Sequence, residues 1–149
     1  MKKSSKRDVI IILILLTISL AGYFIYQAVI NNRNVAKALV IYDVDVVVVV
    51  DFELKTVEKI IDQPGSPNYP IIDTENKTIT LLGDHTKGGA RQEVVIRYSF
   101  ERKSMQIIKE ESPNNICSDL GESTGMSLIC LPNNIRIQFD TGQDIDNEI

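Results

Sequence analysis

The chain has 149 residues, a formal net charge of −4 and a hydrophobic content of 44%. This length accommodates one domain with one core rather than two domains. The charge is unevenly placed: residues 1–30 hold four basic residues and one acidic residue, so the rest of the chain holds 12 basic and 19 acidic residues, a net charge of −7. An acidic surface repels phosphate groups, so this composition argues against a nucleic-acid-binding protein.

The first predicted element is an apolar run, residues 9–30, that follows a basic segment containing Lys2, Lys3, Lys6 and Arg7. As a helix this run is about 33 Å long, enough to cross the hydrocarbon core of a bilayer with slight tilt. We therefore predict a transmembrane helix over 9–30 whose partner is the lipid bilayer. Because basic flanks stay in the cytoplasm, residues 1–8 are predicted to be a cytoplasmic tail and the rest of the chain extracytoplasmic.

A cleaved signal peptide and, less favoured, a buried helix of a soluble protein are the alternative interpretations of the same segment. The apolar region of a signal peptide is normally about 7 to 15 residues long and ends at a small-residue cleavage site. The apolar run is longer than that, and Ala36-Lys37-Ala38 lies well beyond its end. The pattern favours an anchor that is not removed.

Residues 31–37 are polar and are predicted to be a juxtamembrane linker, and residues 38–140 to be the folded domain. Ala38 to Phe52 is rich in valine, which is typical of a strand that is buried on both faces or paired at the centre of a sheet. Leu54 to Ile61 has apolar residues at helical spacing and is predicted to be a short amphipathic helix.

The remainder of the domain alternates between apolar and polar residues and is predicted to be mainly β, a small β-barrel or sandwich. Gln63 to Pro70 is a predicted loop. The predicted strands are Thr78 to Leu82, Glu93 to Phe100, Met105 to Lys109, Ser127 to Cys130 and Ile135 to Phe139, with a hairpin turn at Glu101 to Ser104 and a reversal at Leu131 to Asn134. Residues 141–149 are acidic and are predicted to be a flexible tail.

Cys117 and Cys130 are the only cysteines. Both lie outside the membrane in the predicted topology, where disulfides persist, so a structural disulfide is the favoured interpretation. Two free thiols, or a redox or metal function, are the alternatives. The chain has no Cys-x-x-Cys motif and only one histidine, so no metal site or cofactor is predicted.

Gly121 to Gly125 matches the G-x-S-x-G pattern that exposes a nucleophilic serine, here Ser123. The required strand-to-helix setting and a later histidine are both missing, since His85 precedes the serine. His85 itself lies in the glycine-rich segment Gly83 to Gly89, which lacks P-loop spacing and is predicted to be a hairpin tip. We predict no catalytic residues.

The stretch from Met105 to Phe139 resembles the NusG domain II-like family of small, often membrane-anchored β domains. That family has a Cys-Pro-Asp-x-x-Cys segment, a glycine a few residues later, and Cys-Leu-Pro-Asn before its last strand. The matching residues in this chain are Pro113, Cys117, Gly121, Cys130, Leu131, Pro132 and Asn133.

Two positions depart from the family pattern. Ser112 replaces the first cysteine and Asn114 replaces the aspartate. A family role that needs three thiols is therefore not expected, whereas a Cys117 to Cys130 bond is unaffected. The resemblance implies a β domain outside the cell without established catalytic residues.

These patterns together predict a membrane-anchored, non-enzymatic interaction module that presents its domain to another membrane or envelope protein. The first alternative is an accessory component of an external redox or cofactor-handling system in which Cys117 and Cys130 cycle between thiol and disulfide. The second is a weak enzyme, which substitution of Ser123 and His85 would test.

Overall fold

The computed structural model of the protein describes residues 3–31 and 35–140. Part of the predicted linker, residues 32–34, and the predicted acidic tail, residues 141–149, lie outside the described residues. The predicted cytoplasmic tail is described from its third residue onward.

The first of two compact units, Met1–Arg33, contains one helix, α1 (Lys3–Asn31). The helix extends past both ends of the apolar run, because no proline interrupts the backbone hydrogen bonds of the flanking polar residues. Every side chain from Arg7 to Ile25 is exposed. This segment of 19 residues is long and apolar enough to cross a membrane, a test that a signal sequence also passes.

The second unit, Asn34–Ile149, is built from two antiparallel sheets. The first sheet, sheet 1, has the strand order β3-β2-β1-β10-β9. Its strands are β1 (Lys37–Tyr42), β2 (Asp45–Asp51), β3 (Thr56–Lys59), β9 (Leu128–Cys130) and β10 (Ile135–Asp140). The first strand lies at the centre, where Val40 is opposite Val48 on one side and Ile137 on the other.

The second sheet, sheet 2, has the strand order β4-β5-β6-β7-β8, so strands that are consecutive in the sequence are also neighbours in the sheet. Its strands are β4 (Ile71–Asp73), β5 (Thr78–Lys87), β6 (Ala90–Ser99), β7 (Ser104–Lys109) and β8 (Glu122–Ser123). A bulge interrupts the pairing of β5 with β6 between Leu82 and Thr86.

The two sheets contribute to a single apolar core. Val40, Val48 and Ile137 of sheet 1 belong to the same buried cluster as Ile79 and Ile96 of sheet 2. The mainly β fold with one apolar amino-terminal helix is therefore confirmed. The sheets do not close into a barrel, so of the two predicted arrangements the domain adopts the sandwich.

The valine-rich segment forms two strands rather than one. The chain reverses at Asp43 and Val44, and the positive φ of Asp43, 56°, allows the tight turn that pairs β1 with β2. The predicted burial of the valine run holds at Val47, Val48 and Val50, which are fully buried, whereas Val46 and Val49 are half-buried.

The predicted helix over Leu54 to Ile61 is wrong, because these residues form a turn followed by the edge strand β3. The apolar residues at helical spacing do not share a buried face: Leu54 is 74% exposed and Ile60 is 47% exposed. Val57 alone packs, partly buried, against the core. Pairing with β2 satisfies the backbone of this segment more completely than an isolated helical turn.

Two predicted loop regions also differ in extent. The predicted hairpin tip Gly83 to Gly89 is a turn only at Gly88 and Gly89, because β5 continues through its bulge to Lys87. The turn between β6 and β7 is confirmed at residues 100–103, where Lys103 takes a positive φ of 48°.

We expect Ile137→Ala to lower the free energy of unfolding by about 2 to 5 kcal/mol, because its side chain is fully buried between the sheets. Ile129→Ala on the neighbouring strand β9 is the matched control. Its side chain is 51% exposed, so its loss should stay below about 1 kcal/mol. Urea unfolding of the full chain in detergent, followed by tyrosine fluorescence, measures both; equal losses would contradict the assigned core.

Candidate functional site: the Glu110 cluster

The two cysteines meet in the interior of the β domain. Cys117 lies between two 3₁₀ turns, Pro113–Asn115 and Ser118–Leu120, and Cys130 ends β9. Their sulfur atoms are 2.01 Å apart and form a disulfide. Cys117 is 2% exposed and Cys130 is fully buried, so solvent has little access to either sulfur.

A buried carboxylate, Glu110, lies beside the disulfide. It follows the last residue of β7 and is 5% exposed. Oε2 accepts a hydrogen bond from the backbone N–H of Ser112 at 2.7 Å, and Oε1 accepts one from the backbone N–H of Cys117 at 3.0 Å. Glu110 therefore fixes both ends of the loop that carries the first cysteine.

The protonation of Glu110 reflects two opposing effects. Burial raises the pKa of this carboxyl group, but hydrogen bonds from Ser112, Cys117 and Asn133 outweigh burial and hold the pKa below its ordinary value. Glu110 is thus an ionised carboxylate at neutral pH. Its negative charge is stabilised by N–H dipoles.

Asn133 completes this group and joins the two sheets. Its side chain is fully buried. Nδ2 donates to Oε2 of Glu110 at 3.2 Å and to Sγ of Cys130 at 3.2 Å, and Oδ1 accepts from the backbone N–H of His85 at 3.4 Å. We refer to Glu110, Ser112, Cys117, Cys130 and Asn133 as the Glu110 cluster.

Gly83 is required for this contact between the sheets. A Cβ atom at position 83 would lie 2.1 Å from Oδ1 of Asn133 and 2.6 Å from its Cγ. The glycine in the β5 bulge therefore serves to let the backbone approach the Asn133 amide, which a glycine-rich sequence pattern alone does not reveal.

The residues of the family motif occupy different settings. Cys117, Cys130 and Asn133 meet in the Glu110 cluster, whereas Pro113 starts a 3₁₀ turn and Gly121, at φ 74°, ends the next one. Leu131 and Pro132 lie in the third 3₁₀ turn (Leu131–Asn133). That turn is the predicted reversal, closed by the N–H of Asn134 donating to the carbonyl of Leu131 at 3.1 Å.

Ser123 is bound within a local turn. It lies on β8 and is 5% exposed. Its hydroxyl donates to the carbonyl of Met126 at 2.6 Å and accepts from the N–H of the same residue at 3.0 Å. The strand-to-helix setting of a nucleophile elbow is not found among residues 35–140.

A second polar group, centred on Arg91, binds the backbone carbonyls of the β5 bulge. The guanidinium donates to the carbonyls of Gly83 and Leu82, each at 2.9 Å, and forms an ion pair with Asp84 at 2.8 Å. It also lies 5.6 Å from the centroid of the Tyr42 ring. The bulge is thus clamped between Arg91 and Asn133.

Tyr42 connects this second group to sheet 1. Its hydroxyl donates to Oδ1 of Asp84 at 2.5 Å and accepts from Arg91. Burial and the hydrogen bond to Asp84 raise the pKa of Tyr42, although the nearby Arg91 lowers it. The phenol therefore remains a neutral donor in this network.

Sequence reasoning missed Glu110, Gly83 and Arg91 as members of these networks. Glu110 is one of two adjacent glutamates, and no periodicity distinguishes the buried one from the exposed one. The only local signal for the segment around Glu110 was that Ser112 and Pro113 lie close to the first cysteine in the sequence.

Comparison with protein-family models, with curated proteins and with solved structures found no match for this chain.

We expect Asn133→Ala to destabilise the domain by about 2 to 4 kcal/mol, because it leaves buried partners on both sheets unsatisfied. Asn68→Ala, at an exposed loop position, is the control and should change stability by less than about 0.5 kcal/mol. Chemical unfolding of the full chain provides the measurement.

Gly83→Ala tests the same contact from the other sheet. The double variant Gly83→Ala/Asn133→Ala should lose less unfolding free energy than the sum of the two single variants. The reason is that Asn133→Ala removes Oδ1 and Cγ, the two atoms that the new methyl group at position 83 would meet at 2.1 and 2.6 Å. Fully additive losses would show that the two positions do not interact.

The stabilisation from Glu110 should depend on pH. Because the pKa of Glu110 is lowered in the folded state, its contribution is fully present above the unfolded pKa of about 4.3 and is lost as the pH falls through the folded pKa. Glu110→Gln should therefore cost about 2 kcal/mol at pH 7, and progressively less below pH ~4. Stability curves from pH 2 to 7 test this, with Glu75→Gln on an exposed turn as the control; a difference independent of pH would contradict it.

Proposed function

We propose that the protein is a membrane-anchored, extracytoplasmic interaction module that presents its β domain to another membrane or envelope protein. The observation that carries this proposal is the helical segment Arg7–Ile25, whose side chains are all exposed. The large hydrophobic side chains from Val9 to Ile25 are each at least 52% exposed. A surface of that size is unfavourable in water and is suited to the hydrocarbon core.

The charge pattern supports an orientation with the amino terminus in the cytoplasm. Four basic residues precede the span, whereas Arg33 is the nearest basic residue after it. The disulfide supports the same orientation, since such bonds persist on the oxidising side of the membrane. The length of the apolar run favours retention of the helix over its cleavage.

The settings of the candidate chemical groups support a non-enzymatic role. The Ser123 hydroxyl is bound within its own turn, and Arg91, Asp84 and Tyr42 are bound to one another. We assign no catalytic residue, and the net charge of −7 derived for residues 31–149 disfavours a nucleic-acid partner.

A cycling thiol pair is the less well supported alternative. Attack by an external thiolate needs access to a sulfur atom, and neither cysteine is more than 2% exposed. The adjacent Glu110 carboxylate would also disfavour a thiolate at either position, which opposes a low thiol pKa. The setting is that of a structural cross-link.

We further propose membership of the NusG domain II-like family. The support is the arrangement of the matching residues, since Cys130 and Asn133 flank a tight 3₁₀ turn that leads directly into the last strand. Pro113 and Gly121 delimit the turns on either side of Cys117. A short turn of this kind needs the proline and the small residues at those positions.

One end of sheet 1 offers a candidate contact surface for the partner. Val44 in the β1–β2 turn is 79% exposed and Leu131 is 83% exposed. The two turns are adjacent, because the N–H of Asp43 donates to the carbonyl of Asn134 at 2.9 Å. Exposed apolar residues that lie together are typical of protein interaction sites.

Topology and partner contact are tested together on intact protoplasts that express the full chain with a tag at each end. Added protease should remove the carboxy-terminal tag and leave the amino-terminal tag, and a photoreactive residue at Val44 should form a discrete protein adduct. Protection of both tags would overturn the proposed orientation.

Two variants test whether the adduct formed from position 44 depends on the proposed contact surface. Leu131→Asp should abolish the adduct formed from position 44, because it places a charge in the adjacent turn. Leu54→Asp, at an exposed residue of the β2–β3 turn, is the matched control and should leave the adduct unchanged. An adduct insensitive to Leu131→Asp, or no adduct at all, would contradict the proposed surface.

A further inference from the structure

The outer face of sheet 1, which points away from the core, is apolar at its centre. Because side chains alternate along a strand, Leu39 and Ile41 point away from the core that contains Val40 between them. On the neighbouring strand β2, Val49 lies opposite Leu39 and Val46 lies opposite Ile41, so all four side chains share one face. We refer to Leu39, Ile41, Val46 and Val49 as the aliphatic quartet.

The aliphatic quartet is distinct from the core. Ile41 is 5% exposed, yet it does not belong to the cluster of buried residues between the sheets. The other three members are half-buried. Sheet 2 differs, because its middle strand β6 presents Glu93 and Arg97 on the outer face, and both are exposed. The outer face of an antiparallel sheet is normally polar, so an apolar centre is typical of a face that another protein layer covers.

Two exposed charges of opposite sign border the aliphatic quartet on its two sides. Glu58 of β3 lies opposite Val49, and Arg136 of β10 lies opposite Ile41. Three strand spacings, about 14 Å, separate β3 from β10, so these two side chains cannot meet within one chain. Neither forms an ion pair with another residue in the range 35–140. The face therefore has an acid on one side of its apolar centre and a base on the other.

We infer that the occupant of this face is a second copy of the chain, bound through the aliphatic quartet in a two-fold symmetric dimer. A two-fold axis that lies between two such faces and runs roughly along the strands places the β3 side of one copy against the β10 side of the other. Glu58 of each copy then faces Arg136 of the other, and the ion pair forms twice. The strands of the two copies cross at about 30°, the usual angle between aligned sheets.

The same axis meets the requirement of a common membrane. An axis along the strands leaves both copies of β1 starting at the same end of the dimer. Because β1 follows α1 in the sequence, two chains anchored in one membrane need this arrangement. The face is about 19 Å wide from β3 to β9 and is small for a stable interface. Anchoring in one membrane compensates by raising the effective concentration of the two copies, and in this respect alone the inference rests on the proposed function.

The test uses full chains that carry a donor or an acceptor fluorescent protein at the carboxy terminus, reconstituted together in phosphatidylcholine vesicles. Energy transfer measured at increasing lipid content gives the surface density at which half of the chains pair. Glu58→Arg and Arg136→Glu should each raise that density at least tenfold, because like charges then meet twice. An equal mixture of the two variants should pair as the wild type does, since both contacts again join opposite charges.

Arg97→Glu, on the outer face of sheet 2, is the matched control and should pair as the wild type does. If a charge-reversal variant lacks the β-sheet circular dichroism of the wild type, Glu58→Gln and Arg136→Gln replace it. Each of these should raise the density for half pairing at least threefold, and an unchanged density in both would refute the two ion pairs.

Three other results would overturn the inference. Wild-type chains without energy transfer would leave the face to a different protein. Normal pairing of Glu58→Arg would place the contact elsewhere, for example on α1, and failure of the mixture to recover would exclude the two-fold arrangement. Flotation with the vesicles reports the anchor separately. A chain that floats without energy transfer refutes the dimer alone, whereas a chain that does not float refutes the proposed anchor and the dimer that relies on it.

Discussion

The Asn133 side chain is the contact on which the arrangement of the β domain depends. It is fully buried, and its two polar atoms have partners on three elements: Oδ1 accepts from β5 of sheet 2, and Nδ2 donates to the segment after β7 and to the end of β9. An amide in the interior is tolerated only when its hydrogen bonds are made, so the two sheets can pack in one relative position that satisfies it. The apolar core supplies most of the driving force, while this amide selects one arrangement.

Two charged side chains near the β5 bulge are stabilised largely by backbone dipoles. Glu110 accepts from backbone N–H groups, and Arg91 donates to backbone carbonyls. The buried charge of Glu110 is costly, but fixed dipoles from neighbouring turns replace its lost hydration. Arg91 is partly exposed and also forms an ion pair with Asp84. The bulge therefore has a clear role: it turns the N–H of His85 toward Asn133 while the adjacent carbonyls face Arg91. A regular strand would present these groups to β6.

Much of the fold was predictable from the sequence, because local patterns decide most of it. The apolar helix, the later strands and the Leu131 to Asn134 reversal all follow from composition or turn chemistry. The strand after Leu54 was not predictable, because the spacing of its apolar residues fits a helix equally well. Only its pairing with β2 makes it a strand. Only part of the candidate site was predictable. Two cysteines in one chain predict a disulfide, but the roles of Glu110 and Gly83 depend on contacts between segments that are distant in the sequence.

The central position of β1 has a consequence for the order in which the domain is made. This strand is synthesised first but lies between β2 and β10, and β10 (Ile135–Asp140) is the last strand of the domain. Until residue 140 has emerged, one edge of a valine-rich hairpin stays open, which is the kind of surface that pairs with other chains. Sheet 1 is therefore completed only after residue 140 has been synthesised, and a chain that stalls before β10 leaves one edge of β1 unpaired. The interval between the appearance of β1 and β10 is the period in which protection by a chaperone matters most.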